Sequence, residues 1–118
     1  MMQPILWLIL AAIHAMPALA FFQPATFTTL YRIQPDNPLF LLMHHRAGLF
    51  VAVFVACVFA AFVPEGRRLA VLVVGISMVS FLLLYWQAGS PPPLRKIAQV
   101  DIIGLPVLAA AAWFAFRP

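Results

Sequence analysis

Four long apolar stretches, separated by short breaks rich in proline, glycine and charge, set the pattern of this chain. They cover residues 4–22, 39–63, 69–86 and 97–116. A helix that crosses the hydrocarbon layer needs about 20 apolar residues at about 1.5 Å rise each. Each stretch is close to that length, so the pattern predicts four transmembrane helices. Connections this short predict an all-α membrane four-helix bundle, a single transmembrane domain over 1–118.

The breaks carry the chemistry of helix ends. Asp36-Asn37-Pro38 offers a capping side chain and then proline in the first turn of the second span. Pro64-Glu65-Gly66-Arg67-Arg68 is a tight turn, which makes the second and third spans antiparallel neighbours. Gly89-Ser90-Pro91-Pro92-Pro93 ends the third span and stiffens the link to the fourth. Within the first loop, residues 26–33 read as a short interfacial helix, because Phe27, Leu30 and Tyr31 can share one face.

Composition settles which solvent the chain meets. Hydrophobic residues make up 65% and charged ones 8%, against about 25% charged in a typical soluble domain. So few charges cannot cover a soluble surface, so lipid must be the main solvent. The first stretch also has the look of a signal peptide, with Ala18-Leu19-Ala20 resembling a cleavage site. With no Lys or Arg before Ile5, it reads instead as a retained span.

The net charge is +4, from seven basic and three acidic residues. The basic residues sit mostly in loops and at the C-terminus and form no nucleic-acid stripe. Arg67, Arg68 and Arg117 fall on one side of the bundle, and Arg32, Arg95 and Lys96 on the other. That balance leaves the orientation open. The single cysteine, Cys57, lies in an apolar run and reads as a small packing residue. Trp7, Trp86 and Trp113 read as interface anchors, and Ser77 and Ser80 as interhelical hydrogen bonders.

Ionisable groups inside spans are costly, so they mark the candidate site. They are His14, His44, His45, Arg46 and Asp101. Measured from the helix ends on the side of the first and third loops, His14 lies about 12 Å in, Arg46 about 10 Å and Asp101 about 6 Å. Three spans thus place polar groups in the same half of the membrane. Tyr85, Trp86 and Gln87 close the third span at that face, and with Arg32 they form a rim. Asp101 is the only acidic residue inside a span, so an Arg46–Asp101 ion pair is the natural neutralisation. Pro17 and Pro106 free the carbonyls of Ile13 and Ile102, next to His14 and Asp101. In the second span His44, Gly48, Ala52, Ala56 and Ala60 repeat every four residues, a small-residue face for close helix approach.

The structural alternative to a functional site is an ion pair that fixes helix register, with neutral, hydrogen-bonded histidines around it. A sharper alternative is a b-type haem held between His14 and His44 or His45, as paired histidines across a bundle can do. A mononuclear metal on Asp101 and the histidines would need Arg46 to point away. No nucleophile–base arrangement stands out and no Gly-rich phosphate loop, HExxH or GxSxG motif is present, which points away from an enzyme. The expectation is a non-enzymatic protein whose polar half-pocket binds a small amphiphile, lipid-like or quinone-like, or a membrane partner. The alternatives are a haem-binding electron-transfer subunit, or an accessory subunit that docks in a larger complex or homo-oligomer.

The segment Leu30-Tyr31-Arg32-Ile33-Gln34-Pro35-Asp36-Asn37-Pro38, followed by Met43-His44-His45-Arg46-Ala47-Gly48-Leu49-Phe50, resembles small bacterial four-span membrane proteins of the DoxX-like and DUF4345-like group. Such proteins often have a histidine before a proline in the first span, as His14 and Pro17 are here. They often have an acidic residue early in the fourth, as Asp101 is. One departure is Arg32, where the group often has glycine. The resemblance covers most of the chain. It implies the four-span fold, a bacterial inner membrane and the polar cluster, without an activity.

Overall fold

A computed structural model describes residues 2–117. Its elements are α1 (Met2–Leu19), α2 (Ala25–Tyr31), α3 (Pro38–Phe62), α4 (Arg67–Gln87) and α5 (Arg95–Phe116), with 3₁₀ turns at Pro64–Gly66 and Pro92–Leu94. Four helices, all but α2, are long and apolar enough to cross a membrane. The fold is an all-α four-helix bundle, and the chain is a multi-pass membrane protein.

Local chemistry explains the boundaries. The Oδ1 of Asn37 accepts from the Leu39 N–H at 2.9 Å, and Pro38 follows as the first helical residue. α1 stops at Leu19 because Phe21 and Phe22 donate to the carbonyls of Ala18 and Leu19, tightening the last turn. The apolar run therefore outlasts the helix by three residues, from Ala20 to Phe22. α2 ends at Arg32, which adopts the left-handed conformation (φ 58°) and donates its N–H to the Thr28 carbonyl. The face expected of Phe27, Leu30 and Tyr31 lies outside the described side chains.

Helix α1 packs most extensively against α3 and also lies against α5, while α4 lies against α5. The α3–α4 seam is thinner than the α1–α3, α4–α5 and α1–α5 seams, although these two helices share the shortest connection between spans. The core between the helices holds Trp7, Leu10, Cys57, Val74 and Met78, with Ala11, Ala60 and Ala111 letting the backbones approach. Bulky apolar side chains such as Leu41, Phe62, Ile76 and Ile103 cover the outside, as a lipid-facing surface requires.

The bases of the second turn act as clamps. Arg67 donates to the carbonyls of Ala60 (2.7 Å) and Ala61 (3.1 Å) at the end of α3, and to Gln3 Oε1 of α1 (3.1 Å). Arg68 donates to the Ala115 carbonyl near the end of α5 at 3.0 Å. Helix C-termini leave carbonyls unpaired and carry partial negative charge, so a guanidinium there satisfies both.

Three expectations change. Trp7 is no interface anchor, being 0% exposed in the core with its indole N–H unpaired among the described residues. Trp86 and Trp113 do face outward. The every-fourth-residue stripe on α3 is not one face. Ala60 is buried and Gly48 meets Phe21, but Ala52 is exposed. Steps of four overshoot a helical turn by about 40° each, so the stripe drifts around the helix. The face that packs instead runs through Ala47, Val53, Cys57, Ala60 and Ala61. Ser80 donates to the Ser77 carbonyl of its own helix at 3.2 Å, not across helices.

Candidate functional site

The heights of the polar groups follow from how α1 meets α3. Phe21, just past the end of α1, packs on His44 with ring centroids 5.1 Å apart. It also closes over Gly48, where an added Cβ would come within 3.2 Å of its ring. The end of α1 is therefore level with His44, not with the start of α3 at Pro38. Depths counted from the helix ends were offset by about one and a half turns. His14 consequently sits deeper than Arg46 and stacks on Phe50 at 6.1 Å.

His14 is 1% exposed. Its Nδ1 lies 2.9 Å from the Leu10 carbonyl, so Nδ1 carries the proton and Nε2 presents a lone pair. That Nε2 is buried and has no hydrogen-bond partner among the described residues. His14 turns to the carbonyl of Leu10 and not to that of Ile13, which Pro17 frees, because helical side chains lean toward the N-terminus.

Arg46 lies on the same α3 face as Phe50, one turn away. Its guanidinium carbon is 4.7 Å from the Phe50 ring centroid and 5.5 Å from that of Phe81 on α4. Such cation–π contacts hold the charge without supplying it an oxygen acceptor. Asp101 of α5 is buried at 9% exposure and lies within electrostatic reach of Arg46. The expected ion pair does not form: among the described residues no salt bridge joins the two, and neither makes a hydrogen bond. Phe50 and Phe81 hold the guanidinium in place of the carboxylate.

Asp101 is one turn from Gly104, where an added Cβ would come within 2.9 Å of Ile13 Cδ1 and of Met78 Cε. This close approach sets the height of α5 against α1 and α4, and leaves Asp101 about a turn nearer the loop side than His14. Arg46 and Asp101 thus lie on the side of the first and third loops, while His14 lies level with Phe50, the middle residue of α3.

The other polar residues stand apart. His44 donates through Nε2 to the Phe21 carbonyl at 2.8 Å, tying α3 to the end of α1. His45 is exposed on the outer face of α3. His14 stacks on Phe50, which lies six residues beyond His44 on α3, about 9 Å along its axis, while His44 packs on Phe21. The two rings proposed for a haem are thus not brought face to face. Of the rim, Tyr85 is buried and stacks on Phe81 at 6.1 Å, while Arg32, Trp86 and Gln87 are exposed.

The seam between α3 and α4 opens above the tight turn into a cavity of about 230 Å³. Arg46, Phe50 and Val53 line it from α3, and Ser77, Ser80 and Phe81 from α4. The sequence reading missed Phe50 and Phe81 as site residues. The available signal was spacing: Phe50 is four residues after Arg46, within reach on one helical face.

Fold and site together define a small multi-pass bundle with a charged cleft facing the lipid. Compared with family models, with curated proteins and with solved structures, the chain matches none.

Proposed function

We propose that this protein is a non-enzymatic membrane protein that binds a small amphiphile in the α3–α4 cleft, with Arg46 as the recognition group. One observation carries this reading. A guanidinium has five N–H donors and a fixed charge, and Arg46 directs none of them to a protein acceptor among the described residues. A charge inside a span is retained at considerable cost, and such residues mark ligand sites by default. The cleft lining supports the same reading: two phenyl rings and aliphatic side chains for an apolar body, and two serines for a polar end. In line with the DoxX-like resemblance, we place the protein in a bacterial inner membrane.

The test is purification of the wild type and of Arg46→Gln in a mild detergent, followed by organic extraction and mass spectrometry. A near-stoichiometric amphiphile in the wild type, reduced in the variant, is the expected outcome. Identical extracts from both, at detergent background, would remove the proposal. Intact-mass measurement of the same samples would reveal a membrane partner chain in place of a small ligand.

A further inference from the structure

We infer that the occupant of the α3–α4 cleft is a single-chain carboxylic amphiphile of the fatty-acid class, its carboxylate forked on Arg46 and its tail lying along the seam. This rests on the amphiphile-binding reading above and adds the chemistry of the head and the number of tails.

Charge complementarity gives the head. Arg46 is a planar guanidinium in a cleft whose other polar groups are two serine hydroxyls. A carboxylate matches the fork with two parallel N–H···O bonds. The Ser77 hydroxyl lies across the same cleft, on α4, where it could meet the head from the other side.

Depth selects the free acid over a bilayer phospholipid. α3 has 25 residues, about 37 Å of helix, against about 30 Å of hydrocarbon. Arg46 begins about 12 Å along it, so its Cα lies about 8 Å below the headgroup layer if α3 is centred. An arginine at that depth ordinarily snorkels to the nearer surface. Here the guanidinium is held over Phe50, one turn deeper in α3, and over Phe81 across the seam. A phospholipid phosphate stays in the headgroup layer, whereas a free acid can sink along the seam. A cavity of about 230 Å³ also suits one small head with the start of one chain better than a diacyl headgroup.

The experiment is saturation binding of radiolabelled palmitate to the intact protein in dodecyl maltoside, with three competitors: oleate, methyl palmitate and phosphatidylglycerol. Saturable binding displaced by oleate, and not by the ester or the phospholipid, is expected. Arg46→Gln should weaken binding roughly tenfold or more, the loss of a charge-assisted pair. Arg46→Lys should fall between. Ser77→Leu keeps Arg46 and fills the cleft; it should also lose binding, with unchanged elution and a melting temperature no lower than that of the wild type as proof of fold.

Equal displacement by the methyl ester, or wild-type palmitate affinity in Arg46→Gln, overturns the carboxylate assignment. Displacement by phosphatidylglycerol alone overturns the single-chain assignment. In either case a co-purified amphiphile that still depends on Arg46 would leave the broader reading standing. Its absence would remove both.

Discussion

Arg32 and Trp7 illustrate how single residues depart from local preference. Arg32 closes α2 in the left-handed conformation at φ 58°, with its side chain exposed. A Cβ in that region costs about 1–2 kcal/mol, which glycine avoids. Arg32→Gly should therefore leave the protein as stable or stabilise it by about 1 kcal/mol, part of the gain offset by a more flexible unfolded chain. Thermal melts in detergent measure this, and a clear loss would mean that the Arg32 side chain has a contact of its own. Trp7 lies in the core at 0% exposure. Trp7→Ala should cost about 3–5 kcal/mol through the void it leaves, read as a lower melting temperature. A surface anchor would show almost no effect. The sequence identified Trp7 as amphipathic but not its position: it lies within two turns of the helix start, and only the rotation of α1 decides which way it faces.

At the scale of elements, the helix ends were the most legible feature and the helix faces the least. The Asn37–Pro38 cap and the proline-marked turns act through neighbours in the chain, so a short window of sequence contains them. Arg67 shows the opposite case. Its basic character was visible, yet its role in clamping the Ala60 and Ala61 carbonyls to Gln3 depends on three helices meeting. Arg67→Ala leaves those carbonyls without their charged donor and should destabilise by about 1.5–3 kcal/mol. Arg68, exposed and bonded to one carbonyl, should cost less on substitution. A pair of melting curves in the same detergent gives the ranking, and equal shifts would contradict it.

For the whole molecule, the weak α3–α4 seam is the feature with functional weight. A cleft retained for a ligand is a packing defect in the ligand-free protein, so filling it should stabilise the fold while removing function. Ser77→Leu is expected to raise stability by about 1 kcal/mol in delipidated protein and to abolish any stabilisation by added amphiphile. A variant that is less stable, yet still responds to amphiphile, would show that the seam closes by other means.

Hydropathy and turn chemistry by themselves determined that four helices span a membrane and closely where each begins. In hydrocarbon each spanning segment must satisfy its own backbone, so a span is a local property that a window of sequence contains. The tertiary structure alone decided how those helices are offset and rotated. It set Phe21 level with His44, placed His14 a turn deeper than Arg46, turned His45 outward and left Asp101 near the guanidinium without bonding to it. Offset and rotation arise from side chains packing across segments far apart in sequence. Gly104 against Ile13 and Met78 is one such contact, and no periodicity within a single helix encodes it.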